Sequence, residues 1–574
     1  MESPRQPSGP ARKGLLRSFW RLAKPYWFSE EAGSAWSLLS LVVGLSLASV
    51  YLLVQFNTWN QAFYDAVQKF DEPAFWTLML RFCLLAAGFI FVGVFNQYFS
   101  LILQNRWRRW MTRRLLDRWL DDKSHYLWHL ADARTDNPDQ RIAEDVRDFV
   151  QQSLDLSVGL LNQIVTLASF IAILWTLSGP LAIPLGSGHS FSLPGYMAWV
   201  CLAYAVTGTW LSHRIGKPLI HINYAQQQTE ADFRFGLVRL RENAESVALS
   251  DGEKAERHSL RGLFDLVYAN FQALLRKQMH LNFFSIGYDQ IATVFPYLVA
   301  APRYFSKQIT LGGLFQIANA FSQVKDALSW AVANYPTLAF WRAVVERLEG
   351  FEDEIVRTKD MRTRALAVLG SSPAGGSVHL EALSLSLPGQ DAPLTAPLNL
   401  DFPAGRSVLI SGPSGCGKST LLRAVHGVWP FSQGRVLLPQ NESRMVFPQK
   451  PYLPIGSLRA ALAYPSEADA VPDSEIQAVL GLCRLEHLRE HLDQVESWSL
   501  ILSVGEQQRV AWARVFLQKP RWLFLDEATS ALDEATQQRL YQALETQLPE
   551  TTMISVAHSQ NPRQHHQGVW DFGH

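Results

Sequence analysis

Long uncharged apolar runs separated by charged stretches fill the first 345 positions of the chain. Ala35 to Phe56 is 22 residues without a charge, enough for a helix to cross the ~30 Å hydrocarbon layer of a bilayer. Phe82 to Asn105 is a second run, with Arg81 placed to snorkel to an interface. From Leu156 to Ser212 no Asp, Glu, Lys or Arg occurs, and "GPLAIPLGSGHSFSLPG" divides the stretch into two spans. Two further spans near Leu281–Ala301 and Leu311–Phe340 carry Asp289, Lys325 and Asp326. The pattern predicts six transmembrane helices over residues 35–345.

Charge fixes their orientation. Lys plus Arg number 6 before the first span, then 2, 10, 0, 10 and 2 between successive spans. Buried helices of a soluble protein have no reason to alternate in this way, whereas the positive-inside rule requires it. It places the N-terminus, the two long loops and everything after Phe340 in the cytoplasm. Within residues 1–34 no small-residue cleavage site follows an apolar core, so no signal peptide is expected. "KGLLRSFWRLAKPYW" is instead a basic amphipathic stretch suited to an interfacial elbow helix. Charges at membrane depth face a cavity, pair, or line a pathway, and Asp289 with Lys325 admits either a functional role or a structural ion pair.

The pattern changes after the spans. A charged segment around Arg347–Arg364 and "LGSSPAGGS" at Leu369–Ser377 read as a linker over residues 346–377. Short apolar runs then alternate with helical ones over 378–574, an α/β signature. In it, "GPSGCGKST" follows the strand-like "RSVLIS" and precedes the helix-like "LLRAVHGVW", the strand–loop–helix setting of a phosphate-binding loop. Gly412, Pro413, Ser414, Gly415, Cys416, Gly417, Lys418, Ser419 and Thr420 form it: successive N–H groups curl around phosphates, Lys418 adds a point charge, and the Ser419 hydroxyl suits Mg²⁺. In "RWLFLDEATSALDE" an apolar strand ends in Asp526, placed to hold Mg²⁺ through water, and Glu527, placed to deprotonate an attacking water. "LSVGEQQR", Leu502–Arg509, has the grammar of a helix start: Ser503 caps and Glu506 closes a capping box, leaving N–H groups that favour an anion.

This order of motifs, from about Val378 onward, resembles the ATP-binding-cassette ATPases. The resemblance implies that ATP is bound with Mg²⁺, that Gln449 contacts the metal and links the site to the membrane part, and that His558 contacts the γ-phosphate. It also implies that "SALD", Ser530–Asp533, crosses a dimer interface, and that Ser503, Gly505 and Glu506 face the γ-phosphate held by a second copy of the chain. A homodimer follows. Where the family reads L-S-G-G-Q, this chain has Val504 and Glu506. Glu keeps the capping function but adds negative charge near a polyphosphate, and Val takes positive φ only at a cost. "LSLSLPGQD" offers no aromatic ring to stack on adenine.

Six spans followed by one ATPase resembles a half-transporter: a membrane all-α six-helix exporter-type (type IV) domain plus an α/β P-loop ATPase domain. "RWRRWMTRRLLDRWL", "DNPDQRIAEDV" and "FRFGLVRLRENAESVAL" resemble the SbmA/BacA-like group and its ATPase-bearing YddA-type members, more distant relatives being the peroxisomal acyl-CoA transporters. In "NPDQ", Asn137 suits a cap, Pro138 the first helical position and Gln140 the box position, so a short loop helix docking on the ATPase is expected. The resemblance implies an ATP-driven transporter of the bacterial inner membrane moving peptides, corrinoids or bleomycin-like solutes, by import. Alternatives are a proton-coupled carrier with a regulatory ATPase, an exporter of fatty-acyl or lipid-like compounds, and a soluble cassette ATPase of repair or translation, against which the spans stand.

Remaining features add little. The net charge of +0 gives no sign of nucleic acid, and "RWRRWMTRR" beside a span suits anionic lipid. Cys83, Cys201, Cys416 and Cys483 lack the spacing of a disulfide framework or zinc site. "DFG" at Asp571–Gly573 lacks every other kinase element, and His565–His566 reads as a solvated pair.

Overall fold

The computed structural model describes residues 14–131, 137–184, 190–373, 376–390, 392–557 and 561–572. They divide into two compact units, Met1–Arg114 with Pro138–Gly350, and Leu115–Asn137 with Phe351–His574.

All six expected spans are helical, within Ala32–Gln68, Glu72–Leu120, Pro138–Ser178, Tyr196–Glu242, Glu253–Phe305 and Leu311–Ala333. Glu253–Phe305 has 53 residues, or about 80 Å of helix, well beyond a bilayer's thickness. Its charged N-terminal half accounts for the excess. Three helices carry windows of mean hydropathy 2.2, 2.3 and 1.9. The window in the second is wholly unburied, with Leu80, Leu84, Ile90 and Val94 all exposed, a surface that needs lipid rather than water around it. The other three pack on one another, and Leu311–Ala333 also packs on Ala32–Gln68 and on the Pro138–Ser178 span. Leu311–Ala333 lies at the centre of the unit, and a core of Phe170, Leu174, Cys201, Ala300 and Phe321 forms where it meets its neighbours. A Cβ at Gly312 would fall 2.0 Å from the Gln61 carbonyl oxygen, so only glycine permits that approach.

Several expectations change. "NPDQ" opens the long Pro138–Ser178 span itself, through a π-helical turn at Arg141–Asp145, instead of forming a separate docking helix. The reason is that Ile142 and Val146 are buried, so the apolar periodicity never breaks. The loop helix that clusters with the ATPase is Ser124–Ala131, where Trp128 packs on Phe351 at 5.1 Å between ring centroids. The last span ends at Ala333, not Phe340, and Tyr335–Ala367 runs as one helix through the expected domain boundary. Leu369–Ser372, read as linker, is a strand, because its backbone pairs with Val436–Pro439. The Pro/Gly-rich break holds a hairpin, Pro180–Pro184 with Ser190–Pro194. Leu15–Trp27 is the amphipathic helix expected; Tyr26 stacks on Trp107 at 5.5 Å, while Leu16, Trp20 and Phe28 face outward.

In the second unit a five-stranded parallel sheet runs Gly568–Asp571, Val408–Ser411, Thr552–Val556, Trp522–Asp526, Arg444–Phe447. A four-stranded sheet runs Leu369–Ser372, Ser432–Pro439, Val378–Leu385, Leu398–Phe402, antiparallel apart from its first pair. Trp522 and Phe524 join the core between the sheets; Leu523 and Leu525 join a helical core with Trp512 and Phe516. Strands buried on both faces explain the unbroken apolar run before Asp526.

Candidate functional site: a nucleotide site in two halves

The carboxyl ends of parallel strands are where α/β sheets bind ligands, and the predicted phosphate loop, Asp526, Glu527 and Gln449 are found there. Val408–Ser411 delivers the chain into a loop whose Gly412, Gly415 and Gly417 have φ of 152°, 80° and 110°. A side chain at Gly412 would meet the Phe572 carbonyl oxygen at 2.4 Å, so the loop's curl depends on glycine. Helix Lys418–Val425 follows, with Gly417 before it and no side-chain cap, leaving first-turn N–H groups for an anion. Lys418, 5% exposed, turns back over the loop and donates to the carbonyls of Gly412 at 2.8 Å and Pro413 at 2.7 Å. Those carbonyls are replaceable partners for an ammonium that suits phosphate oxygens equally well.

Ser419 and Asp526, far apart in sequence, meet across the top of the sheet, where the Ser419 hydroxyl donates to Asp526 Oδ1 at 2.8 Å. Burial pushes the Asp526 carboxyl above the ordinary range, opposed by that hydrogen bond. Glu527 turns sharply out of the strand at φ 49°, and Gln449 Nε2 donates to its Oε2 at 2.7 Å. Hydroxyl, carboxylate and side-chain amide are the oxygen donors a hard divalent cation takes, so Ser419, Asp526 and Gln449 fit Mg²⁺. Thr420 is buried at the base of the loop, beside Lys418. His558 lies outside the described residues.

The second half is the start of helix Val504–Gln518. Ser503 Oγ accepts from the Glu506 N–H at 3.3 Å, and Glu506 Oε2 accepts from the Ser503 N–H at 3.0 Å and hydroxyl at 2.8 Å. The capping box is present, and Val504 occupies the first helical position, so positive φ is not required of it. Burial alone raises the Glu506 carboxyl, but the Ser503 bonds and His487, 2.9 Å away, hold it below its usual range. Gly505 lets the Ala531 carbonyl approach to 2.9 Å of where a Cβ would stand. Gln508 then ties the helix to the next loop, donating to Ser530 Oγ and accepting from the Ala531 N–H, both at 3.1 Å. Asp533 caps Glu534–Gln547 through the Thr536 N–H, and the Thr536 side chain together with that N–H lowers its carboxyl. Motif spacing did not single out Gln508 or His487. The first adjoins the capping box; the second sits on another element and left no sequence signal.

Among the described residues, no hydrogen bond or ion pair joins the Ser503–Glu506 turn to the phosphate loop. Beside that turn Leu500, Ile501 and Val504 are 86%, 56% and 63% exposed. The expected solvated histidine pair is in fact packed: His566 bonds the Ser555 hydroxyl at 2.8 Å on a strand, and His565 stacks on Tyr541 and bonds Glu545, both on helix Glu534–Gln547.

Two family models and several known proteins match the chain. Residues 21–305 match the family model described as ABC transporter transmembrane region 2, and residues 395–530 the one described as ABC transporter. The chain is similar to an uncharacterised ABC transporter ATP-binding protein of Haemophilus influenzae, 34% identical over 96% of this chain and 91% of the relative. It is 32% identical to the inner membrane ABC transporter ATP-binding protein YddA of Escherichia coli, over 97% and 96%. The human lysosomal cobalamin transporter ABCD4 is 26% identical over 96% and 94%. A bacterial Atm1-family ABC exporter with ATP bound shares the fold, with TM-score 0.65 and 20% identity over 94% of each chain.

Proposed function

The chain belongs to the ATP-binding-cassette transporters, a family whose ATPase is coupled to transport, and on that premise we propose that it is a homodimeric half-transporter with two shared nucleotide sites. The observation that carries the dimer is the division of the site, a complete phosphate loop in one place and an anion-ready serine turn with exposed apolar neighbours in another. Pairing two copies head to tail brings Ser503 and Gly505 of one to the phosphate loop of the other, covers Leu500, Ile501 and Val504, and sets Asp533 at the shared edge. Lys418, Ser419 and the loop N–H groups hold the polyphosphate; Ser419, Asp526 and Gln449 hold Mg²⁺, which supplies charge neutralisation when bound. Glu527 accepts the proton of the attacking water, and His558 steadies the terminal phosphoryl group. Closure of the two cassettes then passes to the membrane helices through the cytoplasmic loops and switches the pathway's opening.

The N-terminus and ATPase are assigned to the cytoplasmic side of a bacterial inner membrane, on the charge alternation and the inner-membrane relative. The resemblance of the loop sequences to the SbmA/BacA-like group, together with the cobalamin named for a relative, is the ground for proposing large hydrophilic or amphipathic solutes such as peptides and corrinoids as cargo, moved by import. The membrane charge cluster supports a second reading, proton coupling, since Asp289 and Asp326 are 59% and 61% exposed beside Lys325.

Liposomes containing the purified protein separate the readings, with ATPase and accumulation measured for peptides, cobalamin and acyl-CoA. Glu527→Gln is expected to lower hydrolysis at least ~10²-fold and to abolish accumulation. Hydrolysis that survives the substitution overturns the site assignment. Uptake that survives it and collapses with the pH gradient selects the proton-coupled carrier.

A further inference from the structure

Glu506 presents a difficulty in any arrangement that brings the Ser503 turn to a polyphosphate. Its carboxylate stands beside the anion, and it holds the hydroxyl hydrogen of Ser503 at 2.8 Å, the donor a phosphoryl oxygen needs. The turn is nevertheless intact, and the side chain that addresses the problem comes from a different element. His487, in the turn Glu486–His491, places Nε2 2.9 Å from Glu506 Oε1, the oxygen left over by the capping box. Arg509, on the same helix as Glu506, stands 3.9 Å from Oε1 and directs its other nitrogen to the Arg484 carbonyl at 2.6 Å. Among the described residues no further charged side chain pairs with Glu506.

Building on the shared-site reading above, we propose that His487 is a positioning residue for the Ser503 turn: as imidazolium it neutralises Glu506 and holds Oε1. The Ser503 hydroxyl is then free to turn from Oε2 to the terminal phosphoryl oxygen. As neutral imidazole it leaves a full negative charge facing the nucleotide. Nucleotide-driven pairing of the two copies is therefore stronger where the His487–Glu506 contact carries the imidazolium charge than where it does not. Nucleotide selectivity and the chemistry at Glu527 are untouched, which places the effect in the apparent affinity for ATP and not in the chemical step.

The test uses the full chain in liposomes, with KM and kcat for Mg-ATP measured at about pH 6 and about pH 8. In the unsubstituted protein KM is expected to rise about threefold with pH, the size of a partly exposed charge pair, with kcat changing less. His487→Gln has the higher KM at both pH values. Glu506→Gln, which keeps the capping box, has the lower KM at both, and His487→Gln added to it has no further effect. A His487→Gln profile matching the unsubstituted protein overturns the proposal, as does an additive loss in the double variant, which signals a merely structural histidine. Thermal melting identifies variants that fail to fold. ATP-induced dimers of Glu527→Gln, read by light scattering, serve as the control. If they form while His487 has no effect, only this inference falls; if they never form, the shared site falls and takes it along.

Discussion

Asp526 and Glu506 are two acids whose surroundings act in opposite senses. Burial works against charge on Asp526, and the single hydrogen bond from Ser419 only partly offsets it. A carboxyl raised by folding contributes stability below its ordinary titration range and loses it as pH climbs through the raised value. At neutral pH without nucleotide or metal the ionised group therefore weakens the fold. Asp526→Asn keeps an oxygen for the Ser419 hydroxyl and removes the buried charge, so the melting temperature of the nucleotide-free protein is expected to rise. On the proposed assignment of Asp526 to Mg²⁺, the same substitution removes an anionic ligand, and hydrolysis is expected to fall at least ~10²-fold. A variant that melts lower, or still hydrolyses ATP at the normal rate, contradicts this account. Glu506 has the reverse sign. Its depressed carboxyl contributes stability above the ordinary glutamate range and loses it as pH falls through the lowered value.

Between elements, the membrane unit holds a buried cation, Lys325, with two acidic partners. Lys325, its side chain 9% exposed, reaches Asp289 on the preceding helix at 2.8 Å and its neighbour Asp326 at 3.1 Å. Losing one acid leaves the ammonium paired; losing both strands it. Asp289→Asn alone is expected to melt close to the unsubstituted protein in detergent, whereas Asp289→Asn with Asp326→Asn costs about 3–5 kcal/mol. Equal melting of single and double variants refutes the shared-partner account. The sequence made the Asp289–Lys325 pairing visible because charges in apolar runs stand out. It could not show that Asp326 shares the lysine. Spans and the phosphate loop were legible for a similar reason, since each is a local pattern. Composition misled where tertiary pairing won: the Gly/Ser-rich Leu369–Ser372 looks like a linker but completes a sheet edge. The cap signal at Asn137–Gln140 suggests a separate short docking helix, because periodicity does not reveal which helix a cap begins; it opens the Pro138–Ser178 span. His487 was invisible, since only the fold brings it to Glu506.

Across the whole molecule, the division of the nucleotide site makes a prediction that no single-chain enzyme shares. If each site takes its phosphate loop from one copy and its serine turn from the other, a defect in either half damages both sites of a pure dimer. Lys418→Ala and Ser503→Ala proteins are each expected to hydrolyse ATP poorly. Mixed before reconstitution, half of the dimers pair one chain of each kind. In such a dimer one site combines both defects and the other combines the intact loop of one chain with the intact turn of its partner. The mixture should therefore recover up to about a quarter of normal activity, set by statistical pairing of two-fold dimers. A site complete within one chain predicts no recovery, because every chain carries a damaged site of its own. Leu500, Ile501 and Val504 add a second handle, being apolar, exposed and beside the turn. Replacing Leu500 with Asp in both proteins should suppress the recovery by putting charge where the partner's surface closes, while leaving the folding of each chain unaltered because that side chain is 86% exposed.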